Sequence, residues 1–590
     1  MSAELPEALL EPLRRALAWL ASLRDAQGRI VCPEHKIEHT GKSAGAAVLA
    51  ARLSLHDRPE HRERHRAFAI EQGRRLVANL HREGTSECHT FWPGRHDKYN
   101  SSNAIIDGGA CSAALAELVE IFGDELAEAD RTAFRAASLL HARTYLRYAV
   151  LDKGVPAQRA WGLTGLAAAS RLAADSELER AAIEAFGAIE AVQNGDGSFP
   201  YHPRHWGAPS VGASDASSFY HSRIPAFLMY SLERLGRDPT REPFARSIRA
   251  ALDFTEALHG PDGLKVGLVE AKPWYWGAEY EVASHVFDVY ALSRGWKLFG
   301  EPRFARAAVR AARTWSAHLL PSGEPRSHLP GQGRTKSYQC PVFWACHSEW
   351  IARALPELAE AQARLEPDVV EPTRGLEISV RWYQDAALAR LEDNCVVAWV
   401  RAGRPTSTIH YGSPHGSGLL RVVRKSDGAS LLERQRWRCD QEGEWAARAG
   451  RFALARGWRA SATELRFSLW LLRNHWRGGR WALALMAPLD VIWRGLCGFG
   501  SSEVSSAFHS SPIARIDSSG VALASALAWR GGSAPAGSRL VRRFEVDGAG
   551  LTVSERCETA EALRSLRYCW PLAASERRGE GSAERTYRLC

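Results

Sequence analysis

The sequence is most informative at first through what it lacks. No stretch approaches eighteen uncharged apolar residues, so nothing in it has the length to cross a membrane as a helix. Met1 to Leu20 has neither a basic start nor an unbroken apolar run, carrying Glu4, Glu7 and Glu11 with Pro6 and Pro12 instead. A secretion signal is therefore not expected, and the expectation is a cytoplasmic chain. Cysteine is sparse, eleven in 590 residues and odd in number, which excludes a disulfide framework as the organising principle and predicts reduced thiols. No block of Lys and Arg marks a nucleic-acid arm; the net charge of +9 comes mostly from Arg and permits an acidic partner without demanding one. No Asp-x-Asp-Asp run occurs, which removes the acidic cluster that protonation of an alkene would need.

What is present is an ordinary globular composition, 45% hydrophobic and 24% charged, long enough for two to four domains. Up to about Leu365 apolar residues recur at spacings of three and four, as in "LRRALAWLASL", "AALAELVEIFG" and "AVRAARTWSAHLL", which predicts helices. Glycine turns punctuate them at Gly28, Gly84, Gly154, Gly197, Gly263 and Gly323, at intervals of 56, 70, 43, 66 and 60 residues. Each interval holds two helices and a connection, so the pattern reads as about six helical hairpins that bury their faces against one another. Irregular lengths and aromatic-rich connections favour a ring with a central cleft over an open solenoid. "LEPDVVEPTRG", Leu365 to Gly375, has linker composition. Beyond it, short β-branched runs such as "NCVVAWVRAG" and turns at Asp427-Gly428 and Asp547-Gly548 predict antiparallel strands. The expected domains are 1–366, helical, and 367–590, sheet.

Several motifs are set aside. "HTGKSAG" lacks the glycine that a phosphate loop requires five residues before Gly41, where Lys36 stands. Cys32, His35 and His39 have zinc-like spacing but no second cluster to match. Cys340, Cys346 and His347 sit in an apolar aromatic stretch and read as packing. A glycosidase would need two facing carboxylates, for which Asp107, Asp215, Glu279 and Glu281 are the candidates beside loops.

A different polar set contains no carboxylate pair. It comprises Asn103 in "YNSSNAIIDGG", Tyr220 and His221 in "SSFYHSR", and His410 and His415 in "STIHYGSPHGSG". The segments "SSNAIIDGGACSAALAELVEIFG" and "DGSFPYHP…SSFYHSRIPAFLMYSLERLG", about a hundred residues apart, resemble the heparinase II/III-like polysaccharide lyases and their alginate-lyase relatives. The resemblance implies an incomplete α/α toroid followed by a C-terminal antiparallel β-sandwich. It also implies roles: Asn103 neutralises a substrate carboxylate, Tyr220 donates a proton, and His410 or His415 reaches over from the sheet domain. Where that family usually has His after the Asn, this chain has Ala104, which removes a base from that helix and centres proton transfer on Tyr220.

Those residue types suit β-elimination on a uronate polymer. Removing the C5 proton beside a carboxylate builds up negative charge that an amide or a cation must meet. A base must take that proton and an acid must protonate the leaving O4, tasks a phenol and an imidazole can share. Arg223, one helical turn from Tyr220, is a candidate to hold a carboxylate, as is Arg95. Trp274 and Trp276 in "KPWYWGAEYE", and Trp206, are candidate faces for sugar stacking, with His221 a further candidate contact. The expected partner is an acidic polysaccharide or oligosaccharide, not nucleic acid or membrane. The chemistry calls for no cofactor, and the sheet domain leaves room for a structural divalent metal. Two other readings stay open: a hydrolase with paired carboxylates, and a relative that binds glycans without cleaving them.

Overall fold

The computed structural model describes the chain except for residues 1–4, 34–36, 39, 83–87, 92–100, 208–214, 269–277, 327–339, 366–377, 403–416, 434–443, most of 455–499, 507–512, 530–536, 560–562, 569–574 and 580–581. Its helices, in order, are α1 Glu7–Ser22, α2 Thr40–His56, α3 Pro59–Ala78, α4 Ser101–Phe122, α5 Glu128–His141, α6 Arg147–Asp152, α7 Pro156–Ala173 and α8 Ser176–Glu190. They continue with α9 Ser218–His221, α10 Arg223–Arg234, α11 Phe244–Leu258, α12 Ala278–Phe299, α13 Pro302–Ala317, α14 Pro341–Cys346, α15 Glu349–Arg353 and α16 Leu355–Leu365. Among the described residues no helix is long and apolar enough to cross a membrane.

Burial sorts these helices into two layers. α2, α7 and α10 are buried nearly all round, and the sequences of α2 and α7 accordingly show little helical periodicity. α5, α11 and α13 bury one stripe and expose the other. The inner helices touch in the sequence α2, α4, α7, α10, α12, and α15 then packs back on α2, while α14 meets both α1 and α2. The ring is therefore closed; the expected incomplete toroid is corrected, because the last inner segment finds the first one's open face. One apolar core runs through it, from Leu13 and Leu49 to Trp344 and Ala361.

The N-terminal halves of neighbouring inner segments meet, Gly41 against Asp107, Gly109 against Trp161, Arg223 beside Trp161 and Lys42 beside Phe343, so these helices run the same way and the long connections into them gather at one end of the ring. These are the connections the glycine turns marked. Gly197 shows why glycine is needed there: its φ is +85°, and a Cβ would strike the carbonyl oxygen of Ala250 on α11. Gly263, at φ +80°, would bring a Cβ to 2.7 Å from the carbonyl of Arg310 on α13. Each turn thus seats one connection on the outer helix of the next hairpin.

The strands are β1 Leu80–Arg82, β2 His89–Phe91, β3 Ser379–Tyr383, β4 Leu388–Glu392, β5 Val396–Arg401, β6 Gly418–Arg424, β7 Ser430–Glu433 and β8 Trp445–Leu454. They are followed by β9 Gly500–Ser505, β10 Ile513–Ile516, β11 Gly520–Ser525, β12 Arg539–Val546, β13 Leu551–Glu558, β14 Leu563–Tyr568, β15 Ser575–Gly579 and β16 Ser582–Leu589. β1 and β2 form a small hairpin among the helices. The rest make separate antiparallel sheets: a meander β3-β4-β5-β6-β7, a six-stranded sheet β10-β11-β12-β13-β16-β15, and a three-stranded sheet β14-β8-β9.

The run "VVAWVR" of β5 is buried at every position, and its alternation explains how. Val396, Ala398 and Val400 join a core with Val521, Phe544, Val553 and Tyr587 of the six-stranded sheet. Val397 and Trp399 face the opposite way, into a core with Phe254, Ala257, Leu258 and Val266 of the ring. The meander is thus covered on both faces, and such a strand reads as a continuous apolar run. Trp399 Nε1 donates to the carbonyl of Ala257 at 2.9 Å, which fixes the sheet against the end of α11.

Candidate active site at the ring mouth

Tyr220 stands on α9, a single turn whose start is capped by Ser217: its hydroxyl accepts from the Tyr220 amide. Phe219 and His221 on either side are buried, while Tyr220 is partly exposed at the end of the ring where the long connections gather. Tyr201, from the connection after α8, lies against it with ring centroids 4.4 Å apart. That connection is held closed by the Tyr201 amide, which donates to the carbonyl of Asp215 at 2.9 Å.

Arg223 follows one turn later and is only 3% exposed. Its guanidinium lies in a cage of aromatic rings, 4.1 Å from the centroid of Phe219, 5.0 Å from Phe287, 5.4 Å from Tyr220, 5.5 Å from Phe343 and 5.8 Å from Trp161. It also donates to the carbonyl of Phe219. Cation–π attraction in a desolvated setting offsets part of the cost of burying that charge.

Two further cations approach the same end. Lys42, 4% exposed in the first turn of α2, stands 5.5 Å from the Phe343 ring and 3.3 Å from Asp107 Oδ1. Arg159, in the first turn of α7, is 6% exposed and covered by Trp206, 3.5 Å from that ring's centroid. Burial brings the Arg159 pKa down to about 10, against the pull of Asp152. Arg223 and Lys42 thus share the Phe343 ring, each 5.5 Å from its centroid, while Arg159 lies under Trp206 of the connection that leads to Tyr220.

Asn103 lies in the first turn of α4, whose neighbour in the ring is α7. The contact is close: a Cβ on Gly162 would come within 2.7 Å of Ile105, and one on Gly109 within 2.6 Å of the Trp161 carbonyl. The first turns of α4 and the Tyr220–Arg223 segment thus flank the same part of α7. An imidazole does reach the Ala104 backbone, from α5: His141 lies wholly buried against Phe91 and Gly108, its Nδ1 2.8 Å from the His89 carbonyl oxygen. Burial brings its pKa down to about 4. Nothing in sequence spacing links residue 141 to residue 104.

His221 is not brought to Tyr220's side of the helix. Its Nε2 is 3.1 Å from Thr255 Oγ1 and 3.2 Å from the Ala251 carbonyl oxygen, both on α11, and Phe254 packs edge-on against it. Burial lowers its pKa to about 4, so it is a neutral packing group rather than the substrate contact expected from its place in the chain. Arg95, Trp274, Trp276, His410 and His415 lie outside the described residues, as do His35 and His39, and nothing is assigned to the side chain of Asn103. Cys32 Sγ is 3.6 Å from Cys340 Sγ, a thiol contact between the α1–α2 connection and the start of α14. Among the described residues no group of three His, Cys, Asp or Glu is placed to hold a metal ion.

Three of the four carboxylates of the hydrolase reading are each beside a cation. Asp107 pairs with Lys42, Asp215 Oδ2 is 3.6 Å from Arg401 Nη2, and Glu281 Oε2 is 3.5 Å from Lys265 Nζ. The side chain of Glu279 falls outside the described residues. Lys265, wholly buried, also reaches Asp288 at 2.8 Å and Ser284 at 2.7 Å, while Ser218 Oγ donates to Glu281 Oε1 at 2.9 Å. Burial alone would raise the Asp288 pKa, but Lys265 and His259 hold it well below the usual carboxylate range. For Glu281 burial prevails over Lys265 and the direction is upward. This sealed network fixes the start of α9, and hence Tyr220, to α12; sequence reading gave Lys265, Asp288 and Ser218 no part in it.

No family model and no curated protein matches the chain. Among solved structures, cellobiose 2-epimerase from Spirochaeta thermophila DSM 6192 aligns with 61% of this chain and 100% of its own, at 15% identity and a TM-score of 0.41. A glycosyl hydrolase of family 88 from Bacteroides vulgatus aligns over 60% and 99%, at 12% identity and 0.44. A polysaccharide lyase aligns over 61% and 99%, at 13% identity and 0.43. Likenesses this distant carry no argument about chemistry, and the ring rests on its own contacts.

Proposed function

We propose that the chain is a polysaccharide lyase that cleaves an acidic, uronate-containing glycan by β-elimination at the mouth of the ring. The observation that carries the reading is Tyr220: a partly exposed phenol, its backbone fixed by the Ser217 cap, beside a buried guanidinium 5.4 Å from its ring. Lys42 and Arg159 give the mouth the sign that a polyanion requires. The carboxylate pair of a hydrolase has less support, because Asp107 and Glu281 are sealed from solvent at 1% exposure.

In the proposed reaction Asn103 donates its amide N–H to the uronate carboxylate and stabilises the negative charge that spreads onto it as the C5 proton leaves. Tyr220 transfers protons, taking the one from C5 as phenolate and returning one to the departing O4 oxygen; both fall to one group when proton and leaving group share a face of the sugar. A histidine of the sheet domain, His410 or His415, is the partner for that exchange. Arg223 orients the phenol and faces the substrate carboxylate. Trp206 forms a wall of the mouth, and Arg95, Trp274 and Trp276 contribute outer contacts. The helical domain is 1–366 and the sheet domain 367–590. The products are a new reducing end and a 4,5-unsaturated uronate.

The test is incubation of the full chain with polygalacturonate, alginate, hyaluronan, heparan and chondroitin. The expected result is new ultraviolet absorbance from the conjugated uronate with at least one polymer, lost in Tyr220→Phe. Reducing ends formed without that absorbance would overturn the reading in favour of hydrolysis.

A further inference from the structure

A second basic site lies on the flank of the ring, where the end of α11 runs into the connection toward α12. Between α13, the end of α11 and strands β3 and β4 is a cavity of about 590 Å³. α13 contributes Arg303, Arg306 and Arg310, whose spacings of three and four put them on one face of the helix. The sheet contributes Arg381, Arg390 and Lys425.

Among the described residues only two carboxylates line the cavity with these six cations. Glu256 is shared among Arg381 at 2.8 Å, Arg390 at 3.0 Å and Arg303 at 3.6 Å. Glu392 takes Arg390 at 3.0 Å and Lys425 at 2.9 Å. Behind the wall, Asp253 and Glu301 also hold Arg303. Even so Arg306 has no ion pair among the described residues and stands exposed on the rim, next to exposed Arg310. Arg390 is 7% exposed, and its Nε has no hydrogen-bond partner among the described residues. Like charges at helical spacing destabilise the helix that carries them. A positive excess held in a concave site lowers the energy of an incoming anion.

We propose that this cavity binds a sugar-sized ligand carrying a multivalent oxyanion, a phosphate or sulfate group. Guanidinium forks match such groups with paired N–H donors, and the unused Arg390 Nε and Arg306 donors are of the kind they take. The volume is that of a small-molecule pocket rather than of a bare ion's cradle. The site shares no residue with the ring mouth, so the proposal stands whether or not the lyase reading does.

Calorimetric titration of the full chain tests it, with a hexose phosphate, a sulfated disaccharide, galacturonate and glucose as probes at low salt. The phosphate or the sulfate probe, or both, should bind and raise the thermal midpoint; which of them binds identifies the source of the group. Binding should weaken at least tenfold in Arg306→Gln/Arg310→Gln, whose changes lie on an exposed helix face, with the circular dichroism unchanged. Neither probe binding, galacturonate or glucose binding equally well, or undiminished affinity in the double variant would each overturn it. If that variant fails to fold, the loss of midpoint protection with added salt in the unaltered chain gives the same decision.

Discussion

Arg401 Nη2 stands 3.6 Å from Asp215 Oδ2, so the last residue of β5 is joined to the connection that ends in Tyr220. The guanidinium is 3% exposed, and burial lowers its pKa against the pull of Asp215. The strand whose continuation carries His410 and His415 is thereby tied to the segment that carries the phenol. Asp215→Ala removes the facing charge from a buried cation. The expected cost is about 2 kcal/mol, less than for a sealed pair because Asp215 is partly exposed, read as a lower urea midpoint at unchanged slope.

Tyr220→Phe should leave the fold intact, since the ring contact with Tyr201 survives. Elimination should fall by about 100-fold or more, the usual range for losing a proton-transfer group. Arg223→Met should reduce the rate as well. Arg223→Lys should restore little, because a compact ammonium does not span the aromatic cage. Rates on a common polymer, with circular dichroism as the control, decide both.

Lys265→Met should be severe. It leaves Asp288 and Glu281 buried without their cation, at a cost of about 3–5 kcal/mol. Adding Asp288→Leu should recover part of that loss, an outcome that a double-mutant cycle in urea would expose. Straight additivity would show that the pair is not coupled.

Acid should weaken the fold in a defined window. His221 has a pKa of about 4 in the folded chain against about 6.5 when unfolded, so between those values only the unfolded chain takes up the proton. Stability is therefore full above pH 6.5 and falls as pH drops toward 4, by on the order of 3 kcal/mol from this group. Glu256 extends the decline. Burial alone would raise its pKa, but Arg390, Arg381 and Arg303 bring it to about 2, so its contribution is present above about 4.5 and lost below. Urea midpoints from pH 7.5 to 4.5 should show the first phase, and His221→Gln should make it shallower, with buried His141, also at about 4, supplying part of the remainder.

The helical hairpins could be read from the sequence because glycine turns and three-four periodicity are local properties. Five of the connections fell where Gly28, Gly154, Gly197, Gly263 and Gly323 predicted; Gly84 lies outside the described residues. Closure could not be read, because it depends on α15 meeting α2 three hundred residues away. The meander's apolar runs announced strands but not that ring and second sheet would cover one face each. The closeness of Tyr220 and Arg223 could be read from one turn of helix, whereas Lys42 and Arg159 come from helices far apart in the chain. His221 misled: adjacency in sequence suggests a shared task, but consecutive residues on a helix point about 100° apart, and that turn delivers the imidazole to α11.

The seam between α2 and the α14–α15 segment also bears on how the molecule comes into being. Residues 40–56 leave the ribosome well ahead of residues 341–353 and stay without that neighbour until those have followed. Until then α2 presents an apolar flank to the cell, a surface on which a nascent chain can stick or recruit a chaperone. A protein cut short before Pro341 would carry five finished hairpins and no way to seal the sixth side.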